Sequence, residues 1–395
     1  MPRIFILSSA APAFVALTAL LLPVSAGSQT TPQVPTPLLL AVQDAPVPFP
    51  GSDGGVHLVY ELWMTNFTPS AATIEKVEIL GDGVSLQTLD ADAVARRLQP
   101  AGLRESSGTM AKITLSLLFL DIDLPPGAPI PRELLHRVDA HFTEAPPGHQ
   151  EFHASGGRTT VDRRPVVKIS PPLQGDKYIS ADSCCDATRH TRAALAVNGR
   201  VWVAQRYAVD WEQLNPQDRI YAGPRENLDS YTIFGKPVFA VADATVVSVT
   251  RGLPEQTPGH YPADIPLDQA DGNSIILDLG ERRYALYAHL QSDSIQVNTG
   301  DHVKRGQEMA QVGDSGNSVA PHLHFQVMDT ELSLAANGLP YEMDNYQITG
   351  KSPGTAAFDE AEANGTPLAV IPVVPPRPVA SALPLDQLIL TLEPR

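Results

Sequence analysis

The 395-residue chain carries 44 acidic against 28 basic residues, a formal net charge of −16, and so lacks the basic surface that nucleic-acid backbones require. Its length accommodates two ordinary domains with tails. The 37 prolines outnumber the 28 glycines and point to extended connections, while only two cysteines exclude a framework of disulfides.

Residues 1–26 read as an export signal. Arg3 precedes an apolar, alanine-rich stretch, and "LLLPVSA" ends in Val24-x-Ala26, which suits signal peptidase. Pro12 and Pro23 interrupt the run, which is short for a bilayer span and turns polar at Gly27, so cleavage is expected rather than a retained anchor. No later stretch is long and apolar enough to form a transmembrane segment, and no cysteine follows the signal for lipid attachment. The expectation is an exported protein, periplasmic or extracellular. A proline-rich leader follows over 27–44.

Strand signals begin next. "VHLVYELWMTNF" alternates Val56, Leu58, Tyr60, Leu62 and Met64, and "AKITLSLLFLDIDL" alternates Ile113, Leu115, Leu117 and Phe119. Turn residues separate such runs, and "DADAVARRL" supplies one or two helical turns. An all-β, sandwich-like domain is expected over 45–165. Its His136 and His141 have no partner at metal-site spacing.

"RPVVKISPPLQG" (164–175) reads as an exit strand and hinge. Beyond it the pattern stays β with glycine-defined turns, and Gly300, Gly306 and Gly313 fall where a compact antiparallel sheet must bend or take positive φ. Residues 252–270 read as a long proline-containing loop, and 351–395 as a Pro-rich tail whose last apolar segment, "LPLDQLILTLEPR", offers an edge strand. Cys184-Cys185 could be a vicinal disulfide, two thiols or soft metal ligands; without a second pair at metal-site spacing, a structural role is expected.

"PHLHF" places His322 and His324 on one face of a strand and Leu323 and Phe325 on the other. Alone, such a pair reads as a solvated strand face. Asp210 in "AQRYAVDW" and His289 in "YALYAHL" complete a set of imidazoles and a carboxylate of the kind that holds hydrolytic zinc.

"YAHL", then "VNTGDHVKRGQEMAQVGDSGNS", then "PHLHF" resembles the core of the lysostaphin-like (beta-lytic) zinc metalloendopeptidases, which cut peptidoglycan peptides. The match spans about 184–345 and is densest over 271–329. The resemblance implies a small antiparallel β core over 170–350 and one Zn²⁺ ion. It assigns Asp210 and His324 as metal ligands, and His289 and His322 as the catalytic pair beside the metal. The same glycines also resemble lipoyl-carrier hairpins, but Lys304 sits in the wrong surroundings for an acceptor lysine.

The family's H-x-x-x-D histidine is Arg206 here. A guanidinium has no lone pair for a metal and sets a positive charge beside it. Arg206 is expected at the cleft rim, paired with an acidic residue and weakening metal affinity. The third ligand could instead be His190 from "CCDATRHTRAA", His260 from the long loop, or a cysteine thiolate. Alternatively the site is degenerate and the domain is a cell-wall scaffold or an activator of a cell-wall amidase. The reading favoured is zinc-dependent hydrolysis of peptidoglycan peptides.

Overall fold

A computed structural model describes residues 35–186 and 189–393. From Thr36 onward they belong to one contact unit. The expected signal peptide and leader residues 27–34 lie outside the described residues. Among the described residues no helix is long and apolar enough to cross a membrane.

The fold is all-β apart from short helices and is dominated by antiparallel pairing. Two five-stranded sheets come first. One runs in the order Leu38–Ala41, Val56–Asn66, Thr114–Leu124, Leu98–Pro100, with Phe49–Pro50 paired to Val56–Asn66. The other runs Glu151–Thr160, Glu133–Phe142, Ala72–Gly81, Val84–Asp90, with Thr109–Met110 added to Ala72–Gly81. Leu58, Tyr60, Leu62 and Met64 from the first sheet share one core with Ile74, Val77, Ile79 and Val138 from the second. Part of the leader is therefore structured, because "LLLA" at 38–41 pairs with Trp63–Asn66. The short helix Ala91–Ala95 starts where Asp90 accepts the Ala93 N–H through its side chain.

The alternation read over 113–119 has the opposite sense. Leu118, Leu120, Ile122 and Leu124 enter the shared core, whereas Leu117 and Phe119 pack with Trp63 on the outer face and Ile113 is exposed. "LSLLFL" is apolar at both parities, so period alone could not choose the face. That outer face is covered too: Ala194 and Val201 pack on the Trp63 cluster, and Val59 joins the core of the large sheet.

The large sheet has eleven strands. Its path is Val167–Ile169, Tyr341–Lys351, Leu388–Leu392, Gly175–Ala181, Val209–Gln213, Leu323–Met328, Tyr284–Leu290, Asn273–Asp278, Ala244–Thr250, His302–Val303. Ile371–Ala382 adds to Tyr341–Lys351. The described residues 351–393 are thus not an extended tail. The prolines at 372, 375, 376 and 378 lie on a strand paired along one side only, where a missing N–H costs little. Leu388–Leu392 is not an edge strand, since it pairs with Tyr341–Lys351 on one side and Gly175–Ala181 on the other. Helix Thr355–Asn364 buries Phe358 and Ala361 against Tyr221, Tyr231 and Ala320.

Gly300 and Gly306 take φ of 95° and 79°. Gly313 is needed for close approach instead: a Cβ there would lie 2.6 Å from the Gln291 nitrogen.

Candidate metal and catalytic site

Three neighbouring strands and one loop meet at a single point. Asp210 on Val209–Gln213 stands directly opposite His324 on Leu323–Met328, which in turn stands opposite Ala288 on Tyr284–Leu290. Leu323 and Phe325 enter the core, leaving His322 and His324 on the other face. His289 follows Ala288 and would point away on a regular strand. It takes a left-handed φ of 61° where the register with Asn273–Asp278 shifts, and this bulge turns its ring back beside His322 and His324. Its backbone is fixed by N–H donation to Asp271 O and by acceptance from Gly313 N.

The four residues named from the resemblance converge, and His190 joins them. His324 Nδ1 lies 2.9 Å from Asp210 Oδ1, His322 Nε2 3.4 Å from the same oxygen, and His190 Nε2 3.4 Å from Asp210 Oδ2. The ring centroids of His289 and His322 are 4.7 Å apart, and those of His190 and His324 are 4.8 Å apart.

Each imidazole is anchored through one nitrogen. The Nδ1–H groups of His190, His289 and His322 donate to the carbonyls of Asp182 (3.0 Å), Ser315 (2.8 Å) and Ala320 (2.8 Å). His324 donates through Nε2 to Gln326 Oε1 at 3.0 Å, while the Gln326 amide nitrogen donates to Ser333 O, which fixes its orientation. A carbonyl can only accept, so the second nitrogens of His190, His289 and His322 keep lone pairs, while His324 Nδ1 shares a hydrogen bond with Asp210 that a bound cation would replace. Lone pairs and a carboxylate facing one another repel unless a proton or a cation lies between them.

Burial would raise the Asp210 pKa, but His190, His322 and His324 outweigh it and hold the carboxyl well below its usual value. Burial lowers His190, with Asp210 partly offsetting it. Burial, reinforced by His322 and His324, holds His289 well below the ordinary imidazole range. For His324 burial is overcome by the hydrogen bond and charge of Asp210, so its pKa is raised. Burial also raises Asp182, Glu212 and Glu362 around the cluster. Asp182 Oδ1 and Glu212 Oε2 are buried without a hydrogen-bond partner.

This donor set fits zinc. His190, Asp210 and His324 offer Nε2, a carboxylate oxygen and Nδ1 within 4.8 Å of one another. Two imidazoles and a carboxylate are zinc ligands, and a backbone carbonyl or amide oxygen on each far nitrogen is the support that ligating histidines take.

Arg206 is not at the rim of this site. It is 4% exposed, and its Nε and Nη2 donate to Glu61 Oε1 and Oε2 at 2.9 and 2.8 Å. The expected acidic partner is present, but it comes from the first sheet and draws the guanidinium into the contact between the sheets. Burial would lower the Arg206 pKa, yet Glu61 outweighs it and keeps the charge. His260 is exposed and is not among the converging side chains. Cys184 and Cys185 form a vicinal disulfide and so have no thiolate to offer.

Sequence reasoning missed Gln326, the Asp182 carbonyl, and the Asp314–Ser318–His322 chain, in which Ser318 Oγ donates to Asp314 and lies 3.3 Å from His322 Nδ1. Gln326 was findable, since "HLHFQ" puts it at the same parity as both histidines. The Asp182 carbonyl carries no residue-type signal.

Residues 227–336 match the model of peptidase family M23, so the chain carries an M23 domain, of the lysostaphin-like type. The matched stretch contains His289, His322 and His324 and begins after Asp210. Peptidoglycan DD-endopeptidase ShyB of Vibrio cholerae serotype O1 is 32% identical over 105 residues, 27% of this chain and 20% of that protein. Peptidoglycan DD-endopeptidase ShyA of the same organism is 29% identical over 179 residues, 40% of this chain and 37% of that protein. The chain therefore spans well under half the length of these curated relatives. Among solved structures, the catalytic domain of lysostaphin from Staphylococcus simulans aligns at 23% identity and a TM-score of 0.23, covering 41% of this chain and 88% of that one.

Proposed function

We propose that this chain is an exported zinc-dependent endopeptidase that hydrolyses peptide bonds of peptidoglycan or a related cell-envelope substrate. The observation that carries this reading is the approach of His190, His322 and His324 to Asp210, with His289 beside them and each ring held by its other nitrogen. The M23 match and the endopeptidase relatives support the substrate class. The names of the same relatives support work on the cell wall, outside the cytoplasm.

His190 Nε2, Asp210 and His324 Nδ1 would hold the ion. Zinc so bound polarises a peptide carbonyl and brings the pKa of a water towards neutrality. His322, fixed by Ala320 O, presents Nε2 to take a proton from the attacking water. His289 is kept neutral by burial and its neighbours and offers a second Nε2 beside it. Once protonated, either ring can donate to the oxygen gaining charge or to the departing amine.

The test uses purified full chain and isolated cell walls. Soluble peptide fragments should appear, cease with chelator and return with zinc. A second reading, a non-catalytic wall scaffold or amidase activator, is favoured by Arg206 standing where the resemblance calls for a ligand histidine. Zinc-loaded protein that cuts neither whole walls nor cross-bridge peptides, yet stimulates an amidase, would establish that reading instead.

A further inference from the structure

His190 stands apart from the other site residues. Asp210, His289 and His324 sit on paired strands, and His322 immediately precedes one. His190 opens a single 3-10 turn, His190–Arg192, in the connection after Gly175–Ala181. Such a turn has no ladder to fix it, and a ligand displaced by even 1 Å loses much of its value.

The chain's last quarter supplies what the ladder does not. Arg189, the residue before His190, donates through Nη1 to Asp182 Oδ2 at 2.8 Å, and through Nη2 to both carboxylate oxygens of Asp359 at 2.8 Å. Asp182 is also the residue whose carbonyl anchors His190 Nδ1. Asp359 lies on helix Thr355–Asn364, whose Phe358 and Ala361 are packed into a core that includes Ala320, two residues before His322. The base of the same connection is tied down independently. Ser183 N donates to Asp386 Oδ1 at 3.0 Å, and Asp386 N donates to Cys184 O at 2.9 Å.

We propose that Arg189, gripped between Asp182 and Asp359, is the positioning residue that sets His190 against Asp210, so that helix Thr355–Asn364 acts as an outside strut for a metal ligand. The inference rests on the reading of His190 as the ligand that replaces the one lost at Arg206. It explains how a loop residue serves where a strand residue is absent. The strut braces a guanidinium, which braces both the carbonyl acceptor and the peptide next to the imidazole. Among the described residues Asp359 has no hydrogen bond or ion pair with the converging side chains, so its effect on the metal passes through Arg189.

The test is zinc affinity of the full-length apoprotein, measured by competition with a chromogenic chelator, together with the visible spectrum of the Co²⁺-substituted protein. Asp359→Ala and Arg189→Gln should each weaken zinc by about tenfold, the scale of removing support behind a ligating histidine. The double variant should lose little more than either single change, because both break one chain of contacts. Asp359→Glu should restore most of the affinity, and the Co²⁺ spectrum of Asp359→Ala should shift as the ligand geometry loosens. Asp359 is half-exposed, so melting of the apoprotein should barely move. His190→Ala separates the two layers of the argument. If it loses zinc while Asp359→Ala and Arg189→Gln bind as wild type, the strut is overturned and the ligand stands. If His190→Ala binds zinc unchanged, the ligand assignment fails and the strut falls with it.

Discussion

Both halves of the molecule bury histidines, but they finish them differently. In the core shared by the first two sheets, His136 lies 2.8 Å from the Tyr60 hydroxyl through Nε2 and 3.1 Å from Gly157 O through Nδ1, so both ring nitrogens are used. His57 likewise spends both nitrogens, on Asp121 and Asp53. In the large sheet, His190, His289 and His322 each spend one nitrogen on a backbone carbonyl and aim the other at a shared space. Burial alone does not mark a functional histidine. An unspent lone pair, with neighbours arranged to keep it unspent, does.

The comparison breaks first at the site. His324→Ala removes a proposed ligand from the convergent set and should abolish measurable zinc binding and peptide release together. His322→Ala should leave zinc affinity within a few-fold of wild type while lowering kcat at least about a hundredfold, the scale of lost acid–base help. Chelator competition and single-turnover cleavage distinguish the two. Equal loss of zinc in both variants would erase the division between ligand and proton carrier.

The next effect is on stability. Arg206→His leaves Glu61 buried without its partner, a loss of about 3–5 kcal/mol in denaturant unfolding, and it should not raise zinc occupancy. A zinc gain without destabilisation would mean that the guanidinium, not the Glu61 pair, decides what happens at this position. His136→Ala strips the buried Tyr60 hydroxyl of its partner and should cost about 1–3 kcal/mol, again with no change in zinc.

The smallest effect is a pH profile. Burial disfavours His57 as a cation, but Asp121 and Asp53 outweigh it and raise its pKa to about 9; Asp123 completes the acidic surroundings. A raised imidazole binds more protons folded than unfolded. Its stabilisation is therefore complete below the ordinary imidazole value of about 6.5 and disappears as pH climbs through about 9. Thermal melts should show wild type losing more Tm between pH 7 and pH 10 than His57→Gln does. Parallel losses would place the histidine's charge outside the balance.

Part of the site was legible because strand parity is a strict rule: "HLHF" sets two imidazoles on one face and two apolar residues on the other, though not what the imidazole face meets. Asp210 and His289 were legible only through the spacing of a known motif. His289 in particular depends on a bulge that no alternation pattern displays. Arg206 was misplaced because its partner Glu61 lies 145 residues away, and ion pairs at that separation leave no local trace. The proline-rich segment was misread because composition reports what a chain avoids in sheet interiors, not whether a one-sided strand tolerates it. Its last strand is apolar enough for an interior place, but nothing local says which gap it fills.

That last strand has a consequence in time. Leu388–Leu392 fills the gap between Gly175–Ala181 and Tyr341–Lys351, and Ser180 is bonded to Leu385 across 205 residues of chain. A chain made from its N-terminus holds the strand leading to His190 open-edged until Leu388–Leu392 has been made. On this topology the brace behind His190 is completed late: until Leu388–Leu392 docks, Gly175–Ala181 is paired on one side only, with Val209–Gln213.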